Sequence, residues 1–220
     1  KSATFRTADV VGLDTMAFVA NTAYTKCQDD KDREVFNIPD YIQTMLDNNW
    51  LGQKTKQGFY KKIDKGVIHS LDLTTLEYTP MNKKRYDAFA LAKERTYLKD
   101  RLNVIVRSDD VAGEFLWNCF SRTLCYASDL VGEIADDVVS IDNAMKWGFG
   151  WEYGPFEVLD AIGLEYFIDR LRKENRSIPS FLLKIKDSEL SSVYKWIDGN
   201  RYSFCLEENK YTRIENHLKS

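Results

Sequence analysis

The sequence predicts an all-α fold: two tandem helical domains on one plan, the first truncated, with a small β-hairpin between them. Three observations predict it. Apolar residues recur at helical spacing, as in Leu13, Met16, Ala17, Ala20, Tyr24 and Cys27. One stretch, 59–78, reads instead as strands around the turn Asp64-Lys65-Gly66. The chain also repeats itself. Asp9-Val10-Val11-Gly12-Leu13-Asp14 returns 151 positions on as Asp160-Ala161-Ile162-Gly163-Leu164-Glu165, and Ile38-Pro39-Asp40-Tyr41 returns 140 positions on as Ile178-Pro179-Ser180-Phe181.

In chain order, a helix over 13–27 gives way to the polar stretch Gln28 to Glu34. Pro39 opens a short helix, where its missing N–H costs nothing, with Tyr41, Ile42, Met45 and Leu46 on its apolar face. A glycine-bounded turn (52–62) runs into the hairpin, which Pro80 closes. A charged linker helix is expected from about Asn82 to Arg101, with Tyr86, Phe89, Ala90, Lys93 and Tyr97 on one side. Asp109 and Asp110 are N-cap candidates for a buried helix over 111–131. A helix over 137–147 stops at Gly148, and the loop 148–156 leads to a helix over 156–174. Two short helices near Pro179 and Ser188 and a polar, frayed tail complete the chain. The expected organisation is a truncated first domain with hairpin (1–80), a linker helix (81–108), a second domain (109–205) and a tail (206–220). Residues 110–147 precede the second copy and have no counterpart before the first; with Lys1 at the start, the chain reads as a segment of a longer polypeptide.

Composition narrows the function. At 220 residues, 44% hydrophobic and 13% aromatic, the chain has ample material for a core. Its 31 basic and 34 acidic residues are mixed, with no basic stripe to suggest a nucleic-acid partner. No apolar run approaches the ~18 residues of a membrane span. Four cysteines without a CxxC pair, and two histidines, make a zinc site improbable; free thiols in a reducing, cytoplasmic setting are the expectation.

The run IDNAMKWGFGWEYGPFEVLDAIGLEYF (141–167), with FRTADVVGLDT (5–15) and GQKTKQGFYKK (52–62), resembles the C-terminal domain of the 3-hydroxyacyl-CoA dehydrogenases. Lys56 stands where that family usually has glycine. The resemblance covers most of residues 1–200, and two copies in tandem are similar to the larger fused enzymes of fatty-acid β-oxidation. It implies an NAD-dependent enzyme that oxidises 3-hydroxyacyl-CoA to 3-oxoacyl-CoA. NAD would be held by an upstream dinucleotide-binding domain, and an enoyl-CoA hydratase domain would follow. The family's catalytic His–Glu pair and glycine-rich NAD loop have no match here; His69 and His217 lie in other contexts, so the chain alone is expected to be inactive.

The resemblance also supplies substrate-binding candidates. Asn118, in Gly113-Glu114-Phe115-Leu116-Trp117-Asn118, resembles the family's substrate-orienting Asn with one extra residue and Cys119 in place of Arg; its plain reading is a buried amide bonded to backbone. Gly154, Pro155 and Phe156 would form an apolar wall for the acyl chain, as would their first-copy counterparts Ser2 and Phe5. The plain reading is a helix-entry loop, with Gly154 supplying a special backbone angle. Lys54, Thr55 and Lys56 could meet a CoA phosphate but read first as a solvated turn. Asp9 and Asp160 read as helix caps or local ion pairs rather than general bases. Trp117, Trp147, Phe149 and Trp151 could stack on adenine but read first as packing between repeats, and Cys119 and Cys125 as core fillers. No catalytic or metal-binding residue is expected. A truncated first copy would expose apolar surface, so a homodimer is a further expectation. The alternatives are a non-catalytic helical interaction scaffold and a dehydrogenase of the 6-phosphogluconate type.

Overall fold

The structure, a computed structural model, describes residues 3–81, 84–187 and 191–214. The chain divides into two compact units between Lys84 and Arg85.

In the first unit, α1 (Thr4–Val11), α2 (Leu13–Lys26) and α3 (Asp40–Asp47) precede an antiparallel sheet of β1 (Tyr60–Lys62), β2 (Ile68–Leu71) and β3 (Tyr78–Pro80), in that order. Leu13, Ile42, Met45, Phe59 and Leu71 form its core. α1 and α2 would be one helix but for Gly12, whose φ of 101° turns the chain. The ladder resumes at once: Gly12 N–H donates to the Ala8 carbonyl at 2.8 Å, and Met16 N–H donates to the Gly12 carbonyl at 3.0 Å.

The second unit opens with α4 (Asp87–Lys93), α5 (Leu98–Val106), α6 (Val111–Asp129) and α7 (Val138–Phe149). It then repeats the plan of the first: α8 (Pro155–Ile162), α9 (Leu164–Lys173), α10 (Ser180–Asp187), and a sheet of β4 (Tyr194–Ile197), β5 (Asn200–Cys205) and β6 (Lys210–Arg213). Gly163, with φ 96°, breaks α8 from α9 as Gly12 breaks α1 from α2. Trp117, Phe156, Phe167, Leu171, Phe181 and Phe204 fill the core. Asp110 is the N-cap of α6, accepting from Gly113 N–H at 2.8 Å, and its other oxygen takes Ala88 N–H of α4 at 3.0 Å.

The fold is therefore not all-α: two three-stranded antiparallel sheets stand beside the helices. Each corrected element has a local cause. The hairpin gains a third strand because Tyr78–Pro80 returns along His69, Ser70 and Leu71. The second sheet replaces the expected frayed tail as far as Ile214, because Lys210–Arg213 pairs with Tyr202–Cys205. Of the helix expected near Ser188, residues 188–190 lie outside the described residues, and the chain is strand by Tyr194. The linker helix is two helices whose buried residues are Ala88, Ala92 and Val106, while Phe89 and Tyr97 are exposed. The helix over 137–147 runs on to Phe149 and ends at Gly150 in the left-handed conformation.

Candidate functional site

Asp9 and Asp160 cap no helix and serve no general-base role visible in their bonding. Asp9, near the end of α1, accepts the N–H groups of Phe59 and Tyr60 at 2.8 and 2.9 Å. Asp160, near the end of α8, accepts those of Val193 and Tyr194 at 2.6 and 2.8 Å. Each carboxylate thus anchors the first strand of its unit's sheet. The glycine-bounded turn is shaped around this anchor. A Cβ at Gly58 would lie 2.2 Å from Asp9 Oδ1, and one at Gly52 would lie 2.3 Å from the Asp9 carbonyl oxygen. Within the turn, Lys54 pairs with Asp14 at 2.5 Å, and Thr55 Oγ1 accepts from Leu51 N–H at 3.0 Å. Lys56 sits at φ 59°, which explains why a glycine suits this position.

The second unit holds a denser network. Asp142 of α7, 1% exposed, accepts from Phe156 N–H at 2.8 Å, Glu157 N–H at 3.2 Å and the Tyr194 hydroxyl at 2.8 Å. Gly154 makes this approach possible: a Cβ there would fall 2.4 Å from three atoms of Asp142. Its φ of −74° is ordinary, so the glycine is needed for space and not for a special backbone angle. Glu157 accepts from Gly154 N–H at 2.9 Å and pairs with Lys146 at 3.1 Å and Arg201 at 2.8 Å. The Arg201 guanidinium also lies 4.0 Å from the centre of the Tyr194 ring.

Burial dominates the electrostatics here. It raises the Asp142 carboxyl to about 6 against the opposing amide and hydroxyl bonds, with the Glu157 charge adding to the rise. Asp160 is raised to about 6 by burial too, helped by the charge of Asp142. The Tyr194 hydroxyl is pushed upward by burial and by Asp142. Burial acts against ionisation of Glu157 as well, but the Gly154 amide, Arg201 and Lys146 together hold its pKa below the usual range. Both oxygens of Asp142 and of Asp160 accept hydrogen bonds, so the arrangement suits a structural clamp better than proton transfer. Among the described residues, no group of three His, Cys, Asp or Glu side chains could hold a metal ion.

The substrate-binding candidates are divided between the two units. Phe5, 41% exposed, lies in the first unit with its ring centre 4.5 Å from that of Phe59. Asn118 is exposed on α6 and donates to the Glu114 carbonyl at 3.0 Å, so it is not a buried amide. Gly154, Pro155 and Phe156 are buried within the second unit. Ser2 lies outside the described residues. Trp117 is in the core, bonding Glu174 through its indole N–H at 2.6 Å, whereas Trp147 and Phe149 are exposed. Cys119 is exposed rather than a core filler. A cleft of about 920 Å³ opens in the first unit, lined by Arg6, Val10, Lys56, Tyr60, Lys61 and Ile68, among others.

Sequence reasoning missed Asp142 and Tyr194. Tyr194 carried a usable signal: Tyr194-Lys195-Trp196-Ile197-Asp198 repeats Tyr60-Lys61-Lys62-Ile63-Asp64. Asp142 carried none, because its role depends on a glycine a dozen positions later. The described residues do not fit a dinucleotide. Their two sheets are antiparallel throughout, and no glycine loop leads from a strand into a helix as a pyrophosphate cradle requires.

Comparison with known proteins bears on the same segments. No solved structure matches the chain. A Bacillus subtilis (strain 168) protein named "Probable 3-hydroxyacyl-CoA dehydrogenase" is 44% identical over 219 residues, which is 100% of this chain and 27% of the relative. A Rickettsia prowazekii (strain Madrid E) protein named "Putative fatty acid oxidation complex trifunctional enzyme" is 23% identical over 212 residues, 92% of this chain and 27% of the relative. A Deinococcus radiodurans protein named "Probable 3-hydroxyacyl-CoA dehydrogenase" is 43% identical over 61 residues, 28% of this chain and 17% of the relative. The chain thus spans about a quarter of the first two relatives. The family model for the 3-hydroxyacyl-CoA dehydrogenase C-terminal domain matches residues 1–62 and 115–180, which hold both copies of the Asp-anchored helix pair and more than half of the sequence. The chain belongs to the 3-hydroxyacyl-CoA dehydrogenase C-terminal domain family.

Proposed function

We propose that this chain is the tandem C-terminal region of an NAD-dependent 3-hydroxyacyl-CoA dehydrogenase of fatty-acid β-oxidation. In this reading it builds one wall of the acyl-CoA cleft and braces a dinucleotide-binding domain elsewhere in the polypeptide. The observation that carries the reading is the coincidence of the two family-matched segments with the two Asp-anchored helix pairs. NAD and acyl-CoA are then partners of the whole protein, an enoyl-CoA hydratase domain is a further partner, and the cytoplasm is its setting. Of the substrate-binding candidates, Phe5 and Asn118 have the exposure to meet an acyl-CoA; Gly154, Pro155 and Phe156 act by packing.

The experiment is NADH oxidation with acetoacetyl-CoA by the full-length parent and by this chain. Turnover by the parent and none by the chain is the expected result. Turnover by the chain alone would overturn the division of labour. Silence in both would favour the non-catalytic scaffold, which the full commitment of Asp142 and Asp160 to hydrogen bonds also suits.

A further inference from the structure

Three carboxylates and two cations meet where α7, α8, β4 and β5 join, and they share the charge unevenly. Glu157 takes both cations, Lys146 at 3.1 Å and Arg201 at 2.8 Å. Asp142 and Asp160 pair with no cation among the described residues; four N–H groups and the Tyr194 hydroxyl meet their oxygens instead. Tyr194 joins the two carboxylates, giving its N–H to Asp160 at 2.8 Å and its hydroxyl to Asp142 at 2.8 Å. Arg201 lies over the Tyr194 ring, so its charge reaches Asp160 only through space. The charged groups of the neighbouring elements are turned elsewhere. Arg107, just after α5, donates to the Ile162 carbonyl at the far end of α8. Glu114 of α6 and Glu174 pair with Arg170 of α9, and Lys186 of α10 lies by Asp169. The Tyr211 hydroxyl of β6 donates to the Ser192 carbonyl.

Two carboxylates joined through one tyrosine, with no cation in contact, favour a state in which one of them holds a proton. Burial raises both to about 6, and the charge of Asp142 adds to the rise at Asp160. Above that range the pair carries two charges, and the element held most weakly must give way. α8 is fixed by Phe156, Leu159 and Ile162, each 0% exposed, and β4 by its ladder with β5. The C-terminal half of α7 has no such hold. Trp147 and Phe149 are 75% and 74% exposed, and a Cβ on Gly148, a poor helix former, would meet nothing within 4 Å. Beyond Asp142, the side-chain bond from α7 to the rest of the unit is Lys146–Glu157. We propose that Asp142, Tyr194 and Asp160 form a proton-linked latch on α7. With one proton in the pair, α7 stays seated on α8 and the sheet. When that proton passes from the carboxyl group to water, the second charge drives residues 143–149 off. The proposal rests on this network and not on the dehydrogenase reading, so either can fail without the other.

Amide hydrogen exchange of the 220-residue chain at about pH 5 and pH 7.5, corrected for the base catalysis of exchange itself, reads the latch. Protection of residues 143–149 should fall about tenfold between the two. Because the opening is local, it should be insensitive to urea up to about 1 M, whereas exchange in α9 should quicken with urea as global unfolding does. Tyr194→Phe removes a donor to the ionised Asp142 carboxylate, so it should move the midpoint of the α7 transition up by about one pH unit. Asp142→Asn should leave residues 143–149 equally protected at both pH values. Constant protection of 143–149 in the parent chain, protection that rises with pH, or exchange that follows urea in step with α9 would each overturn the proposal. So would a midpoint that Tyr194→Phe leaves in place.

Discussion

The two units carry the same anchor in different surroundings. Asp9 and Asp160 each take two consecutive strand amides, and Gly12 and Gly163 each turn the chain at the same point after them. Around Asp160 the second unit adds α7, so that Phe156 is sealed and Tyr194 is tied to Asp142. Around Asp9 the first unit leaves Phe5, Val10 and Val11 partly open. The Asp–amide anchor, with its glycine neighbours, thus joins helix pair to sheet in both units. The buried acidic network is an elaboration that depends on α7.

The largest expected effect comes from breaking the elaboration. Gly154→Ala drives a methyl group into Asp142, and α7 must move. A loss of about 3 kcal/mol or more is expected from such overpacking. Urea unfolding would measure it, and hydrogen exchange should show the loss confined to residues 85–187 and 191–214. The pH dependence comes next. Asp142 and Asp160 release their protons near 6 when folded and near 3.8 when unfolded, so the folded state holds more protons between those values. Their contribution to stability is therefore greatest at the acid end and falls as pH rises through 6, by roughly 2 kcal/mol per carboxylate. Glu157, held below its usual range, works the opposite way at the acid end of the window. Unfolding midpoints from pH 4.5 to 7.5 should decline, and Asp142→Asn should flatten the decline. The smallest effect belongs to the first unit's turn. Lys56→Gly should stabilise the chain by about 0.5–1 kcal/mol, because the side chain at φ 59° is strained. A melting temperature no higher than that of the parent sequence would contradict this.

Helices with a strong apolar period and a local cap were legible: Asp110 before α6, Pro39 before α3 and the paired Asp-x-x-Gly-Leu segments announced themselves. The second sheet was not, although β4 copies the Tyr-Lys-x-Ile-Asp of β1. Its strands are short and half polar, and Lys210–Arg213 becomes a strand through its pairing with β5. The division of the linker into α4 and α5 was equally hidden, since Ala88 and Ala92 bury a face that larger residues on the other side disguise. Exposure of Phe89, Tyr97, Trp147 and Phe149 shows the limit of counting aromatics as core. The anchoring roles of Asp9 and Asp160 join residues 50 and 33 positions apart, beyond any local pattern.

The repeated anchor is tested most directly by amide hydrogen exchange on Asp9→Ala and Asp160→Ala. Asp160→Ala should deprotect Val193 and Tyr194 while leaving Phe59 and Tyr60 as slow as before, and Asp9→Ala should do the reverse. Unchanged protection of all four amides in both variants would contradict the account, because the strands would then be held without the carboxylates.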